Sequence, residues 1–138
     1  VRLSANTERI GARAFYGCVN LRAIDLPGML TEIGDNAFMY CYYLESLTFG
    51  ESNTPLQIGI NAFSFCRSLR ELVLPDRLTA ISHSCFASCD ALEQIDLGGV
   101  RAVGKNAFRG CAALRDASAQ KGITLADGNQ RLAESLQQ

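Results

Sequence analysis

A unit of about 23 residues recurs five times in this chain, and that recurrence limits the possible folds more than any other feature. Runs reading Ile-Gly-x-x-Ala-Phe-x-x-Cys-x-x-Leu-x-x-Ile-x-Leu start at Ile10, Ile33, Ile58, Ile81 and Val103, at spacings of 23, 25, 23 and 22 residues. Phenylalanine falls at 15, 38, 63, 86 and 108, cysteine at 18, 41, 66, 89 and 111, and leucine at 21, 44, 69, 92 and 114. A period this short is below that of helical-hairpin repeats and suits one turn of a β-containing coil. The Ile-x-Leu end alternates with period two, so Ile24 and Leu26 point one way while Ala23 and Asp25 point the other. Pro27 and Pro75 end the strand, and Gly50 and Gly98 hold the matching places. The Ala-Phe-x-x-Cys piece puts apolar side chains at i, i+1 and i+4, which predicts a short helical turn against the core. Stacking sets the strands about 4.8 Å apart in one parallel sheet. Phe, Cys and Leu then become internal ladders of a solenoid.

All 138 residues read as a single solenoid. Residues 1–9 are expected to be the tail of a preceding repeat, because Val1 and Leu3 precede Ile10 as Ile24 and Leu26 precede Ile33. That start predicts an excerpt of a longer protein. Residues 10–114 carry the core repeats, and 115–138 read as a degenerate last repeat or C-terminal cap, which solenoids need at their ends. There Ala117 and Ala119 make a weak strand pair, and Ile123-Thr124-Leu125 restores the strand pattern. Asp127 or Asn129 is placed to cap a short helix over 130–138 that presents Leu132 and Leu136.

From these residues the chain resembles the BspA-like leucine-rich repeat family of bacterial and protist surface proteins. Residues 18–38 follow that family's pattern with Leu30 in its extra leucine slot, and residues 66–86 follow it with Leu78 there. Departures are Ser82 for the repeat glycine, Cys85 for the repeat alanine, and the irregular stretch Gly50-Glu51-Ser52-Asn53-Thr54-Pro55. The resemblance implies an α/β right-handed leucine-rich-repeat solenoid, with the parallel sheet on the concave face and short helical turns and loops opposite. It also implies a non-catalytic recognition or adhesion scaffold on an exported or cell-surface protein, with no cofactor and no particular ligand.

Composition removes several other functions. Thirteen Lys/Arg against 14 Asp/Glu give a net charge of −1, which lacks the basic footprint of a nucleic-acid binder. No apolar run approaches the roughly 18 residues of a membrane span, so no membrane insertion is expected, and the first residues lack a signal-peptide layout. There is one histidine. His83-x-Cys85-x-x-x-Cys89 offers at most three zinc ligands where four are wanted, so no metal site is expected. Ser82-His83-Ser84 lacks a second base, an elbow and an oxyanion hole, so no catalytic residue is assigned. Five of the six cysteines share one inward column, where a thiol acts as a small hydrophobe. Parallel side chains in one column lack the crossed geometry of a disulfide, and six free thiols are expected.

Two surfaces remain as candidates for a protein or glycan ligand. Tyr16, Tyr40, Tyr42 and Tyr43 all lie in the first two units, and Tyr40 aligns with Phe65 of the third. Elsewhere these columns include Gly, Ser, Ala, Asn and Arg, so the fold does not demand aromatics there, and tyrosine is a preferred interface residue. The second surface is the outward row of the sheet, including Asp25, Thr48, Glu71, Val73, Gln94 and Asp96. Arg22, Glu45, Arg70, Glu93 and Arg115 follow the column leucines with alternating sign, predicting a cross-strand charge ladder. The expected function is a protein-interaction or adhesion module. The alternatives are a spacer carrying another domain, and repeats that position substrate for a larger enzyme.

Overall fold

The computed structural model describes residues 2–137, and it is a stack of coils with parallel strands. The Ile-x-Leu segments form the expected row: β2 (Ala23–Leu26), β4 (Ser46–Phe49), β6 (Glu71–Val73), β8 (Gln94–Asp96) and β10 (Asp116–Ser118). A second row, absent from the sequence reading, comes from the x-Ile pair that opens each unit. It contains β1 (Arg9–Ile10), β3 (Glu32–Ile33), β5 (Gln57–Ile58), β7 (Ala80–Ile81), β9 (Ala102–Val103) and β11 (Thr124–Leu125). Two-residue strands span one alternation, too little to register as a period. Pairing in both rows is parallel with identical columns aligned, as in Ile24 with Leu47 and Ile10 with Ile33. Arg2 bridges to Asp25 in the first row and Leu3 packs on the core, while Val1 lies outside the described residues.

The third side corrects one expectation. The Ala-Phe-x-x-Cys segment is a run of tight turns and not a helical one. Residues two before each Phe sit in the left-handed region with φ of 54° to 60°: Arg13, Asn36, Asn61, Ser84 and Asn106. Residues two after each Phe do the same, which prevents a helix from propagating. Alternate N–H groups therefore divide their bonding. Ala14 and Tyr16 donate locally, to Gly11 and Arg13 at 3.2 and 3.1 Å. Arg13, Phe15 and Gly17 donate to the next coil, to Asp35, Ala37 and Met39 at 3.0, 2.7 and 2.8 Å. The same pattern recurs from Asn36, Phe38 and Tyr40 and from Asn61, Phe63 and Phe65. These turns are a third hydrogen-bonded ladder.

Inside, the Phe column stacks face to face, with centroid separations from 4.9 Å (Phe15–Phe38) to 5.5 Å (Phe86–Phe108). The cysteines have a bonding role beyond filling space. Thiols of Cys41, Cys66, Cys89 and Cys111 donate to the carbonyls of Phe15, Phe38, Phe63 and Phe86 in the preceding coil, at 3.1 to 3.4 Å. Each carbonyl already accepts the N–H of its own turn's cysteine, and the thiol, a small side chain with a weak donor, adds a second bond without polar bulk. All six cysteines are free. Burial pushes the Cys41 thiol up to about 11 and the Cys111 thiol up to about 12.

Both strand rows are interrupted at one boundary. No ladder joins β4 to β6 or β5 to β7, although each pairs with its other neighbour. The connection between β4 and β5 takes nine steps from Phe49 to Ile58, against seven from Leu26 to Ile33 and from Leu74 to Ile81. Arg77, in the loop between β6 and β7, reaches back across this seam. Its guanidinium donates to Leu30 O at 2.6 Å, Pro27 O at 3.2 Å and Thr54 O at 3.3 Å, and the residue is 8% exposed.

Toward the C-terminus β11 pairs with β9, so Leu125 occupies the Ile column of the second row. Ile123-Thr124-Leu125 is therefore not an Ile-x-Leu strand, as the sequence pattern implied. Helix α1 (Gln130–Leu136) follows and buries Leu132. Asn129 holds the N-cap position but makes no side-chain cap bond. Its amide caps the solenoid instead: Oδ1 accepts from Phe108 N at 2.9 Å, where earlier coils use a backbone carbonyl. Nδ2 donates to Gly104 O and Ala126 O at 2.9 and 2.8 Å.

Candidate functional site

The turn side gathers most of the nominated aromatics. Tyr40 is their centre, with ring centroids 5.4 Å from Tyr16, 5.9 Å from Tyr42 and 5.0 Å from Phe65. Tyr43 is not among these ring contacts and sits instead under Arg22, whose guanidinium carbon is 5.8 Å from its ring. Sequence columns made Tyr40–Phe65 adjacency legible, but the two cations on the cluster were missed. Arg13 lies over Tyr16 at 5.5 Å, and Arg67 lies over Tyr42 at 5.2 Å and Phe65 at 5.6 Å. Arg13 sits at a left-handed turn position and Arg67 one residue after the column cysteine, and only the turn geometry brings both onto rings.

Backbone conformation separates Tyr40 and Phe65 from ordinary packing residues. The column two after Phe is left-handed in all five units, with φ of 60° to 80°, and it holds Gly17, Tyr40, Phe65, Ser88 and Gly110. A side chain bearing a Cβ costs roughly 1–2 kcal/mol in this region. Aromatic pairing returns about 0.5–1.5 kcal/mol. For Tyr40 and Phe65 the two nearly cancel, so stability alone does not select them over glycine.

The nominated sheet-face residues are all exposed, as their outward phase required. Thr48 donates to the Asp25 carboxylate, and Asp96 accepts from Gly98 N at 2.9 Å. Glu71, Val73, Gln94 and Asp96 border a shallow depression of about 210 Å³. The charge ladder is only partly formed: Arg22–Glu45 and Arg115–Glu93 pair at 3.3 and 3.2 Å, and among the described residues Arg70 has no ion-pair partner. A groove of about 620 Å³ along the second strand row, lined by Arg9, Glu32, Gln57 and Ile60, was not foreseen. Its signal is the repeat glycine, since a Cβ on Gly34 would overlap the Ala12 backbone. His83 is exposed while Cys85 and Cys89 are buried, so the three do not converge on one point. Among the described residues no helix is long and apolar enough to cross a membrane.

Comparison with known proteins agrees with this architecture. A leucine-rich repeat protein from Bacteroides ovatus superposes with a TM-score of 0.68 at 23% identity, over 89% of this chain and 37% of that one. That likeness shows the fold. A leucine-rich cell surface protein from Faecalibacterium prausnitzii aligns at 22% identity over 84% of this chain and 46% of that one, with a TM-score of 0.49. The pneumococcal vaccine antigen PcpA aligns at 19% identity over 84% and 43%, with a TM-score of 0.47. The chain thus spans less than half the length of each. No curated protein matches it. The model of the BspA type leucine rich repeat region matches residues 1–115 in six copies, and the chain belongs to that family.

Proposed function

We propose that this chain is a non-catalytic recognition module of an exported or cell-surface protein, and that it binds through the aromatic–arginine cluster on its turn side. Membership of the BspA-type family supports the interaction role and the surface location. The observation that carries the choice of face is a bulky aromatic on a left-handed backbone at Tyr40 and Phe65, where the other coils have Gly17, Ser88 and Gly110. Conformational cost kept at a surface position points from the outlier to function. The sheet face offers small, mildly acidic side chains with no comparable cost.

The test is a binding screen of the 138-residue chain against extracellular proteins and polysaccharides, run beside a Tyr40→Gly/Phe65→Gly variant. A saturable hit that the variant loses, while its melting temperature stays within a few degrees, supports this reading. A hit that the variant keeps moves the site to the sheet face. A folded chain with no partner in the screen counts for the spacer role.

A further inference from the structure

We propose that the partner of this turn-side site is an acidic protein segment, whose Asp or Glu carboxylates are gripped by Arg13 and Arg67. The inference rests on the recognition reading above. It starts from what the cluster leaves open. Guanidiniums cover the faces of Tyr16, Tyr42 and Phe65. A sugar ring needs an open aromatic face on which to lie, and three of the four rings here have one occupied. What remains presented is hydrogen-bond donors. Among the described residues neither Arg13 nor Arg67 is in an ion pair, and no phenolic hydroxyl of Tyr16, Tyr40 or Tyr42 has a partner. No tyrosine hydroxyl is fully buried without a partner either, so all three keep access to solvent. A guanidinium held over a ring loses part of its rotamer freedom while its N–H groups stay available, which favours two-point binding of a carboxylate.

Charge across the molecule agrees with that choice. Outward positions of β2, β4, β6, β8 and β10 carry Asp25, Glu71, Asp96 and Asp116, and the one cation in those columns among the described residues, Arg2, lies beside Asp25 at the end of the row. An acidic segment is thus repelled from the sheet face and attracted to the turn side. Arg13 and Arg67 lie two coils apart, about 10 Å along the axis, so a segment running along the solenoid engages both. Tyrosine and arginine are also both among the residues enriched where protein partners bind tightly.

Poly-L-glutamate and polygalacturonate are the probes, titrated calorimetrically into the chain at low salt and at roughly 0.15 M salt. The polypeptide is expected to bind, to weaken at the higher salt, and to lose about tenfold or more in affinity on Arg13→Gln/Arg67→Gln. An Asp25→Asn/Asp96→Asn control on the sheet face should leave its affinity unchanged or raise it. Arg13→Lys/Arg67→Lys keeps the charge but not the fork, and should fall between the wild type and the Gln variant. Tighter binding of polygalacturonate than of poly-L-glutamate overturns the proposal in favour of a glycan. No binding of poly-L-glutamate, or binding indifferent to the Gln variant, overturns it outright. If a screened protein loses binding in Tyr40→Gly/Phe65→Gly but ignores both salt and Arg13→Gln/Arg67→Gln, recognition by the cluster stands and the acidic partner falls.

Discussion

The turn side and the strand sides of this solenoid treat the same boundary differently. Between the third and fourth units the turn ladder is unbroken, with Asn61, Phe63 and Phe65 donating to His83, Cys85 and Ala87 at 3.2, 2.8 and 2.9 Å. The coil that contains β4 and β5 and the coil that contains β6 and β7 share no strand ladder. The longer loop at 50–56 interrupts the strand ladders on two sides, where Leu56 N still donates to Arg77 O at 3.2 Å across the gap, while the third side keeps its register. Turns and stacked rings therefore set the coil spacing here, and the strands follow where the loops allow.

The largest expected effect acts on the whole turn side together. Cys41, Cys66, Cys85, Cys89 and Cys111 are buried there with thiols raised by loss of hydration. An unfolded thiol near 9.0 releases its proton before the folded one does. Stability is therefore complete below about pH 9, declines as pH rises toward about 11 for Cys41 and about 12 for Cys111, and then levels. Each thiol contributes up to about 1.4 kcal/mol per pH unit inside its window. Melts at about pH 8 and pH 10 should differ by more than any single substitution produces. A pH-independent melting temperature across that interval would contradict the buried column. In native protein at neutral pH a maleimide should label half-buried Cys18 first, and all six cysteines only after denaturation.

Phe63→Ala attacks the same side at one point, the middle of the stack. Phe63 is fully buried between Phe38 and Phe86 at 5.0 and 5.3 Å, and truncation should cost roughly 3–5 kcal/mol. Phe15→Ala, at the half-buried end, should cost clearly less. Chemical denaturation of both variants checks this; equal losses would mean that the stack is not continuous.

This contrast also marks what the sequence made legible. The Phe, Cys and Leu columns are large, apolar and equally spaced, so the core and the first strand row could be read directly. The clustered aromatics were visible as departures in the columns beside these. The turn was misread because apolar spacing at i, i+1 and i+4 fits a helix as well as it fits a left-handed turn. Asn36, Asn61 and Asn106, which tolerate that conformation, were the available clue. Arg77 and Asn129 were not legible as clamp and cap, because each satisfies carbonyls or N–H groups that exist only once the coils are stacked. The placement of Arg13 and Arg67 over rings needed the same turn geometry.

Arg77→Ala probes the strand side. It leaves the carbonyls of Leu30, Pro27 and Thr54 without this donor, partly offset because a buried cation lacking a carboxylate is itself unfavourable. A loss of about 2 kcal/mol is expected. Hydrogen exchange should localise it: amides of residues 46–58 and 71–81 should exchange faster, while those of Phe38 and Phe63 stay protected. Uniform acceleration across all three sides would mean that the seam is not an independent weak point.

The smallest effects lie on the exposed charge rung, and they sharpen the same contrast. Arg22–Glu45 and Glu93–Arg115 each bridge coils whose first-row strands are paired, at 3.3 and 3.2 Å. Glu45 and Arg70 hold the same column on the two sides of the seam, and among the described residues they form no ion pair. Double-mutant cycles should give about 0.2–1 kcal/mol of coupling for each formed pair, decreasing with added salt. The Glu45–Arg70 cycle should give none within error. Alternating charge is thus informative about register only where the backbone is already in register. Equal coupling at all three pairs would show that side chains close the seam where the backbone does not, and Arg77 would then lose its distinct role.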